Sequence, residues 1–185
     1  GQADPVNITQ ALAKGARSFG VNIIEGTKVT NIDKANSQVK GVMTTEGFIE
    51  CEYIVNAAGM WAHEIGKKAG VAVPLHACEH FYIVTENIKD LKANLPVLRV
   101  PDESAYYKED AGKILLGCFE LKSKPWGMDG ISEDFEFDTL PDDFEHFEPI
   151  LEKAIKRFPY LETTGIHTFF NGPESFTADD RYLLG

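Results

Sequence analysis

Apolar positions recur at two periods along the chain, and the change from one to the other marks the elements. Ile8, Ala11, Leu12, Ala16 and Phe19 fall on one face of a 3.6-residue repeat. This predicts a helix that follows the Asp4-Pro5-Val6-Asn7 turn and ends at Gly20. Residues 21–25 form a short β-branched run, so helix and run read as the αβ half of a parallel unit, punctuated by Gly26. Residues 27–33, 38–45 and 48–52 alternate at period two and predict a three-strand meander, with Glu46-Gly47 as a hairpin turn. The meander leads into Tyr53-Ile54-Val55-Asn56-Ala57-Ala58-Gly59-Met60-Trp61. Its first half is the continuous apolar run of a parallel strand covered on both faces. A helix follows over residues 61–69, with Trp61, Ile65 and Ala69 on one face and Gly70 at its end.

The small residues between that run and that helix have two readings. Ala57, Ala58 and Gly59 leave the backbone bare, so a bulky group can lie against it, and the N–H groups opening the helix suit an anion such as a pyrophosphate. The other reading is a tightly packed strand-to-helix turn.

From Val71 the pattern changes. Strand runs recur at residues 76–85, 95–100, 104–108 and 113–120, with Asp110-Ala111-Gly112 as a hairpin between the last two. An apolar stripe of Phe144, Phe147, Leu151, Ala154, Ile155 and Phe158 predicts a helix from about residue 142 to 157, stopped by Pro159. A last strand spans residues 165–171. The fold class is therefore α/β in the mixed α+β sense, with an antiparallel-rich second sheet and a flanking helix. Residues 1–70 form a first domain, 71–171 a second, and 172–185 a segment returning toward the first.

Charge narrows the function classes. The net charge is -11 and the pI about 4.9, which argues against nucleic acid and against anionic membrane surfaces as partners. No apolar run approaches the roughly 20 residues of a membrane span. Cys51, Cys78 and Cys118 are widely spaced without a CxxC, so they read as free thiols in a reducing, intracellular setting. Residues 128–148 carry nine acidic side chains and no Lys or Arg. With no fixed ligand spacing among them, they read as a solvated loop and helix start, and no metal site is expected. No histidine pair has HExxH spacing, and Ser175 sits in no G-x-S-x-G. His80 is the histidine of interest. In an alternating strand it shares a face with Cys78, Tyr82 and Val84. It reads either as a satisfied core or surface histidine or as a group that orients a small amine and accepts its proton. Tyr106 and Tyr107 point to opposite faces of their strand, so only one can join it.

Five segments, in order, carry a resemblance: residues 4–17, Val55-Asn56-Ala57-Ala58-Gly59-Met60-Trp61-Ala62, residues 79–86, Leu95-Pro96-Val97-Leu98-Arg99 and residues 171–177. Together they resemble the dimethylglycine/sarcosine dehydrogenase branch of the FAD-dependent D-amino-acid-oxidase superfamily. The resemblance implies part of an FAD-binding Rossmann-like domain joined to a substrate-binding sheet. The reaction it implies is oxidation of an N-methylglycine by transfer of a hydride equivalent from the N-methyl carbon to FAD. It maps the substrate-facing pair onto His80 and Tyr106. It maps cofactor contacts onto Val29, Asn56, Ala57, Ala58, Gly59, Trp61, Thr177 and Asp179, with Ala178 where the family usually has Pro. The implied partners are a small N-methylated amino acid and an electron acceptor, either a flavoprotein or oxygen. The implied location is cytoplasmic, or the mitochondrial matrix in a eukaryote. Members often carry a further tetrahydrofolate-binding domain downstream.

The chain begins with Gly1 and contains no GxGxxG after an opening strand. It is therefore expected to be an internal fragment, with the cofactor fingerprint upstream, and to hold FAD weakly or not at all by itself. Two other classes stay open. Pro74-Leu75-His76-Ala77-Cys78-Glu79-His80-Phe81-Tyr82 is also similar to the regulatory subunit of pyruvate dehydrogenase phosphatase, so a non-catalytic regulatory relative is the alternative. The third class is an autonomous module that binds a small amine or carboxylate.

Overall fold

The first helix starts inside the stretch expected as a turn ahead of it, and Asp4 is its cap. Its carboxylate accepts the Asn7 amide at 2.7 Å, and Pro5, which has no N–H to lose, takes the first helical position. This computed structural model describes residues 2–184. The chain divides into two units, one ending at Val73 and the other beginning at Pro74.

In the first unit, helix α1 (Pro5–Ser18) ends at Phe19, and Gly20 adopts positive φ. The meander forms as strands β1 (Val29–Ala35), β2 (Gln38–Thr44) and β3 (Gly47–Glu50), antiparallel in the order β1-β2-β3. The β1–β2 turn uses Asn36 and Ser37, both at positive φ, as a two-residue hairpin requires. The β2–β3 turn is Thr45-Glu46, one residue earlier than expected, and Gly47 follows it at φ +125°. A short 3₁₀ turn (Gly59–Trp61) leads into helix α2 (Ala62–Ala69), which Gly70 closes in the left-handed conformation. Helix α2 meets β1 through side-chain ammonium groups. Lys34 donates to the Ala69 carbonyl and Lys68 to the Thr30 carbonyl.

Two expectations in this unit are corrected. Residues 21–25 and 53–56 are not strands. Val21 and Ile24 are exposed, and Tyr53 and Val55 almost wholly so. An apolar run becomes a strand only where a neighbouring backbone completes its hydrogen bonds, and no described segment of this chain pairs with either run. The predicted αβ half-unit is likewise a helix followed by a segment without regular structure. The apolar stripe of α1 buries none of its residues.

The second unit is a five-stranded antiparallel sheet in the order β5-β6-β7-β4-β8, comprising β4 (Leu75–Thr85), β5 (Leu98–Val100), β6 (Ala105–Asp110), β7 (Lys113–Cys118) and β8 (Ile166–Thr177). The Asp110–Lys113 hairpin turns through Ala111 and Gly112, again both at positive φ. β8 pairs with β4 along its whole length and runs on through Gly172 to Thr177. Helix α3 (Phe144–Arg157) packs its Phe147, Ile150 and Ala154 against Phe81, Ile83, Tyr107, Leu116 and Cys118, all on one face of the sheet. Asp143 caps α3 by accepting the His146 amide at 3.0 Å. At its other end, Arg157 grips Glu103 through two hydrogen bonds of 2.7 and 2.8 Å.

Candidate active site

Strand alternation divides the second sheet into a core face and an opposite face, the candidate reactive face. On β4, Phe81 and Ile83 are buried in the cluster that α3 covers and Thr85 is buried too, its hydroxyl accepting the Ile114 amide, while His80, Tyr82 and Val84 point the other way and are half-buried. Register extends this face across every strand. Arg99 on β5 lies opposite Tyr106 on β6, Tyr106 opposite Gly117 on β7, Gly117 opposite Tyr82, and Tyr82 opposite Phe170 on β8. Directly opposed residues of an antiparallel pair share a face, so these five form one row. His80 opposes Gly172 in the next row.

Rings cover this face because two of its positions carry none. A Cβ added at Gly117 would lie 2.1 Å from the Tyr106 ring, and one at Gly172 would lie 2.7 Å from the Phe170 ring. Each glycine lets a neighbouring ring lie down on the sheet. Tyr82 and Phe170 then stack, with centroids 4.6 Å apart and planes at 17°. Phe119, just past β7, is the hub of the site. Its centroid is 5.0 Å from the His80 ring and 5.8 Å from the Tyr106 ring. His80 also meets the edge of Phe176 at 6.1 Å. Thus His80 and Tyr106, 26 residues apart in sequence, flank one aromatic ring on one face. Tyr107 points into the core.

The chemistry of these groups follows from their burial. Burial, with nearby charges including Glu174 adding to it, holds the Tyr106 hydroxyl above its ordinary value of 10.0. It is therefore a neutral hydrogen-bond donor throughout the physiological range. Burial likewise pushes the Cys118 thiol far up, and the neighbouring Glu120 carboxylate adds to the effect. Cys118 stays a thiol and is no nucleophile. All three cysteines are free. Among the described residues, no cluster of His, Cys, Asp and Glu has the arrangement of a metal site.

The residues matched to cofactor contacts lie in both units. In the first, the Asn56 amide pins the small-residue turn, its Nδ2 donating to the Ala62 carbonyl at 2.8 Å and its Oδ1 accepting the Ala58 amide at 3.3 Å. Ala57 and Gly59 are exposed, and Gly59 takes φ +53° with open space where a side chain would stand. No side chain caps the 3₁₀ turn or α2, and Trp61 is exposed beside them. A bare, pinned backbone of this kind fits a large planar cofactor approaching closely. Val29 starts β1, an edge strand, so one side of its backbone is free of ladder partners. In the second unit, Thr177 and Asp179 form one turn. The Thr177 hydroxyl donates to the Arg181 carbonyl at 2.8 Å, and the Asp179 carboxylate accepts the Arg181 amide at 3.2 Å. The turn closes with Ala178 in it, so the missing Pro does not abolish it.

A family model described as DAO, FAD dependent oxidoreductase, matches residues 1–185. The chain belongs to this family. Its relatives within and around the DAO family include the mitochondrial pyruvate dehydrogenase phosphatase regulatory subunit of Mus musculus, 40% identical over 97% of this chain. The mitochondrial sarcosine dehydrogenase of Homo sapiens is 38% identical over 100% of it. The chain spans only 21% and 20% of those two proteins, about a fifth of each. Among solved structures, L-proline dehydrogenase from P. horikoshii superposes with a TM-score of 0.78 at 26% identity, over 99% of this chain and 46% of that one. The fold of this chain is thus a mixed α/β one with antiparallel sheets, as the sequence pattern predicted.

Sequence reasoning missed Phe119, Arg99, Gly117 and Gly172 as parts of one face. A glycine inside a strand signals close approach of another group, and Gly117 and Gly172 carried that signal. Phe119 and Arg99 had none, because only register connects them to His80.

Proposed function

We propose that this chain is the substrate-side part of a flavin-dependent oxidoreductase that removes a hydride equivalent from the N-methyl carbon of a small N-methylated amino acid, such as dimethylglycine or sarcosine. The observation that carries the reading is the convergence of His80 and Tyr106 on the Phe119 ring. The imidazole of His80 orients the amine and accepts its proton, so that the nitrogen lone pair is free to assist loss of hydride. The neutral Tyr106 hydroxyl donates a hydrogen bond to the bound amino acid. The rings of Phe119, Tyr82, Phe170 and Phe176 exclude water and hold the N-methyl group. Asn56, Ala57, Ala58, Gly59 and Trp61, with Val29, Thr177 and Asp179, are the residues that would hold FAD, which when bound supplies the hydride acceptor. The electron acceptor that restores the oxidised cofactor is a flavoprotein or oxygen.

Anaerobic mixing of the FAD-loaded full-length protein with sarcosine or dimethylglycine should bleach the flavin absorbance. The His80→Ala variant should retain its flavin and lose the amine-dependent bleaching by about 100-fold or more, the scale of a lost acid–base group. A variant that lost flavin but kept normal amine affinity would contradict the role given to His80.

The similarity to a phosphatase regulatory subunit favours a second reading, a regulatory protein on the same fold. A full-length protein that binds FAD yet is bleached by no methylated amino acid would support that reading against the first.

A further inference from the structure

Phe119 owes its place to a break in the sheet. The β4–β7 ladder stops at Tyr82 and Gly117. The chain meets β4 again where Pro125 bridges Cys78, with the Glu79 amide donating to the Lys124 carbonyl at 2.8 Å. Residues 79–81 of β4 therefore face residues 118–124, a long bulge beside His80. Packing does not fix the first ring of that bulge, since Phe119 is 44% exposed. Its successor is fixed on the other face. The Glu120 side chain is 10% exposed, and its Oε2 accepts the Cys118 thiol at 3.4 Å. Its Oε1 is buried with no hydrogen-bond partner, and so is Nε2 of His146. The two orphaned atoms lie 3.6 Å apart. A buried carboxylate oxygen without a donor is costly, and a hydrogen on His146 Nε2 satisfies both atoms at once. His146 is itself held, its ring against Phe81 at 5.1 Å and its amide by Asp143.

We infer that Glu120 is a positioning residue: by pairing with His146 on the core face it fixes the bulge, and so holds Phe119 against His80 and Tyr106 on the other face. The inference rests on the reading given under Proposed function and adds to that site a support on the far side of the sheet. Glu120 and Phe119 share a planar peptide unit, so neither shifts alone. When the pair opens, Phe119 leaves the His80 ring, 5.0 Å away, and the Tyr106 ring, 5.8 Å away. The Arg99 guanidinium carbon, 5.2 Å from the same centroid, loses its seat as well. Glu120 itself stays on the core side with Cys118 and His146, so its effect reaches the amine only through Phe119.

The test uses the FAD-loaded full-length protein and follows deuterium exchange at Cε1 of His80 by mass spectrometry, which reports the surroundings of that ring whether or not any amine is oxidised. Glu120→Ala and His146→Phe should each speed this exchange about threefold or more. Glu120→Gln, whose amide oxygen still accepts from Nε2–H, should restore the slow exchange. Ile114→Val, which trims the same core at the far end of β7, should leave it unchanged. In turnover of sarcosine, Glu120→Ala should lower kcat/KM about tenfold, the scale of a displaced positioning group. In a Phe119→Ala background the same substitution should cost less than about twofold, because the ring through which it acts is gone. Unchanged His80 exchange in both Glu120→Ala and His146→Phe overturns the inference. So does the same acceleration in Ile114→Val, or an equal fall in kcat/KM in the two backgrounds. Faster exchange confined to the pair's variants, in a protein that oxidises no methylated amino acid, would sustain the support and refute the proposed reaction.

Discussion

At the scale of single residues, the reactive face depends on absent side chains as much as on present ones. Gly117 makes room for the Tyr106 ring, and a Cβ at that position would meet the ring at 2.1 Å. Gly117→Ala should therefore destabilise the second unit by about 1–3 kcal/mol, the usual cost of overpacking. The same substitution in a Tyr106→Ala background should cost almost nothing, because the clashing ring is gone. Denaturant unfolding of the four proteins in this double-mutant cycle checks the prediction, and equal costs in both backgrounds would refute it. Tyr106→Phe keeps the packing and removes only the hydroxyl. It should weaken amine binding by about 1 kcal/mol, the net worth of one hydrogen bond.

Among the elements, α3 is the most directly testable, because one carboxylate both starts it and ties it down. Asp143 accepts the His146 amide through Oδ1 and the Lys124 ammonium through Oδ2, the latter at 2.8 Å. The Lys124 hydrogen bond first, and then the His146 amide, hold its carboxyl below the ordinary value of 3.8. A depressed carboxyl contributes stability that is present above the unfolded value and is lost as pH falls through the folded one. Asp143→Asn keeps the cap and loses the charge, so its deficit relative to the unaltered protein should vanish as pH drops below 3.8. Asp143→Ala loses the cap as well and should cost about 0.5–2 kcal/mol in addition at neutral pH. Thermal melts followed by circular dichroism over pH 2 to 7 would read both effects. Elements of this kind were legible in the sequence. The helix that Pro159 stops, the Ala111-Gly112 hairpin and the alternation along β4 each state their own local chemistry, whereas the capping roles of Asp4 and Asp143 emerge only in the fold. Residues 21–25 and 53–56 misled for a physical reason. A β-branched apolar run reports what would profit from burial, and says nothing of whether a partner strand is at hand. The candidate site was half legible. Alternation faced His80 and Tyr106 correctly within their strands. The Phe119 hub and Arg99 required the registers of three strand pairs, one of which, β4–β7, joins strands that are not consecutive in the chain.

Over the whole molecule, burial is distributed unevenly. Ile32 and Ala62 are the buried apolar residues of the first unit among those described, whereas the second has the continuous cluster under α3. Hydrogen exchange read by mass spectrometry should accordingly find the slowest amides in β4, β7 and α3 and fast exchange in α1 and residues 51–58. Protection of α1 equal to that of β4 would overturn this. Strand β4 itself has a consequence for how this sequence can change over time. Its residues alternate between helix-covered core and the opposite face, so one codon inserted or deleted upstream of His80 within the strand would send the imidazole into the core and turn Phe81 out of it. Both functions of the strand would fail together. Within β4, therefore, this sequence can absorb substitutions but not a change of length.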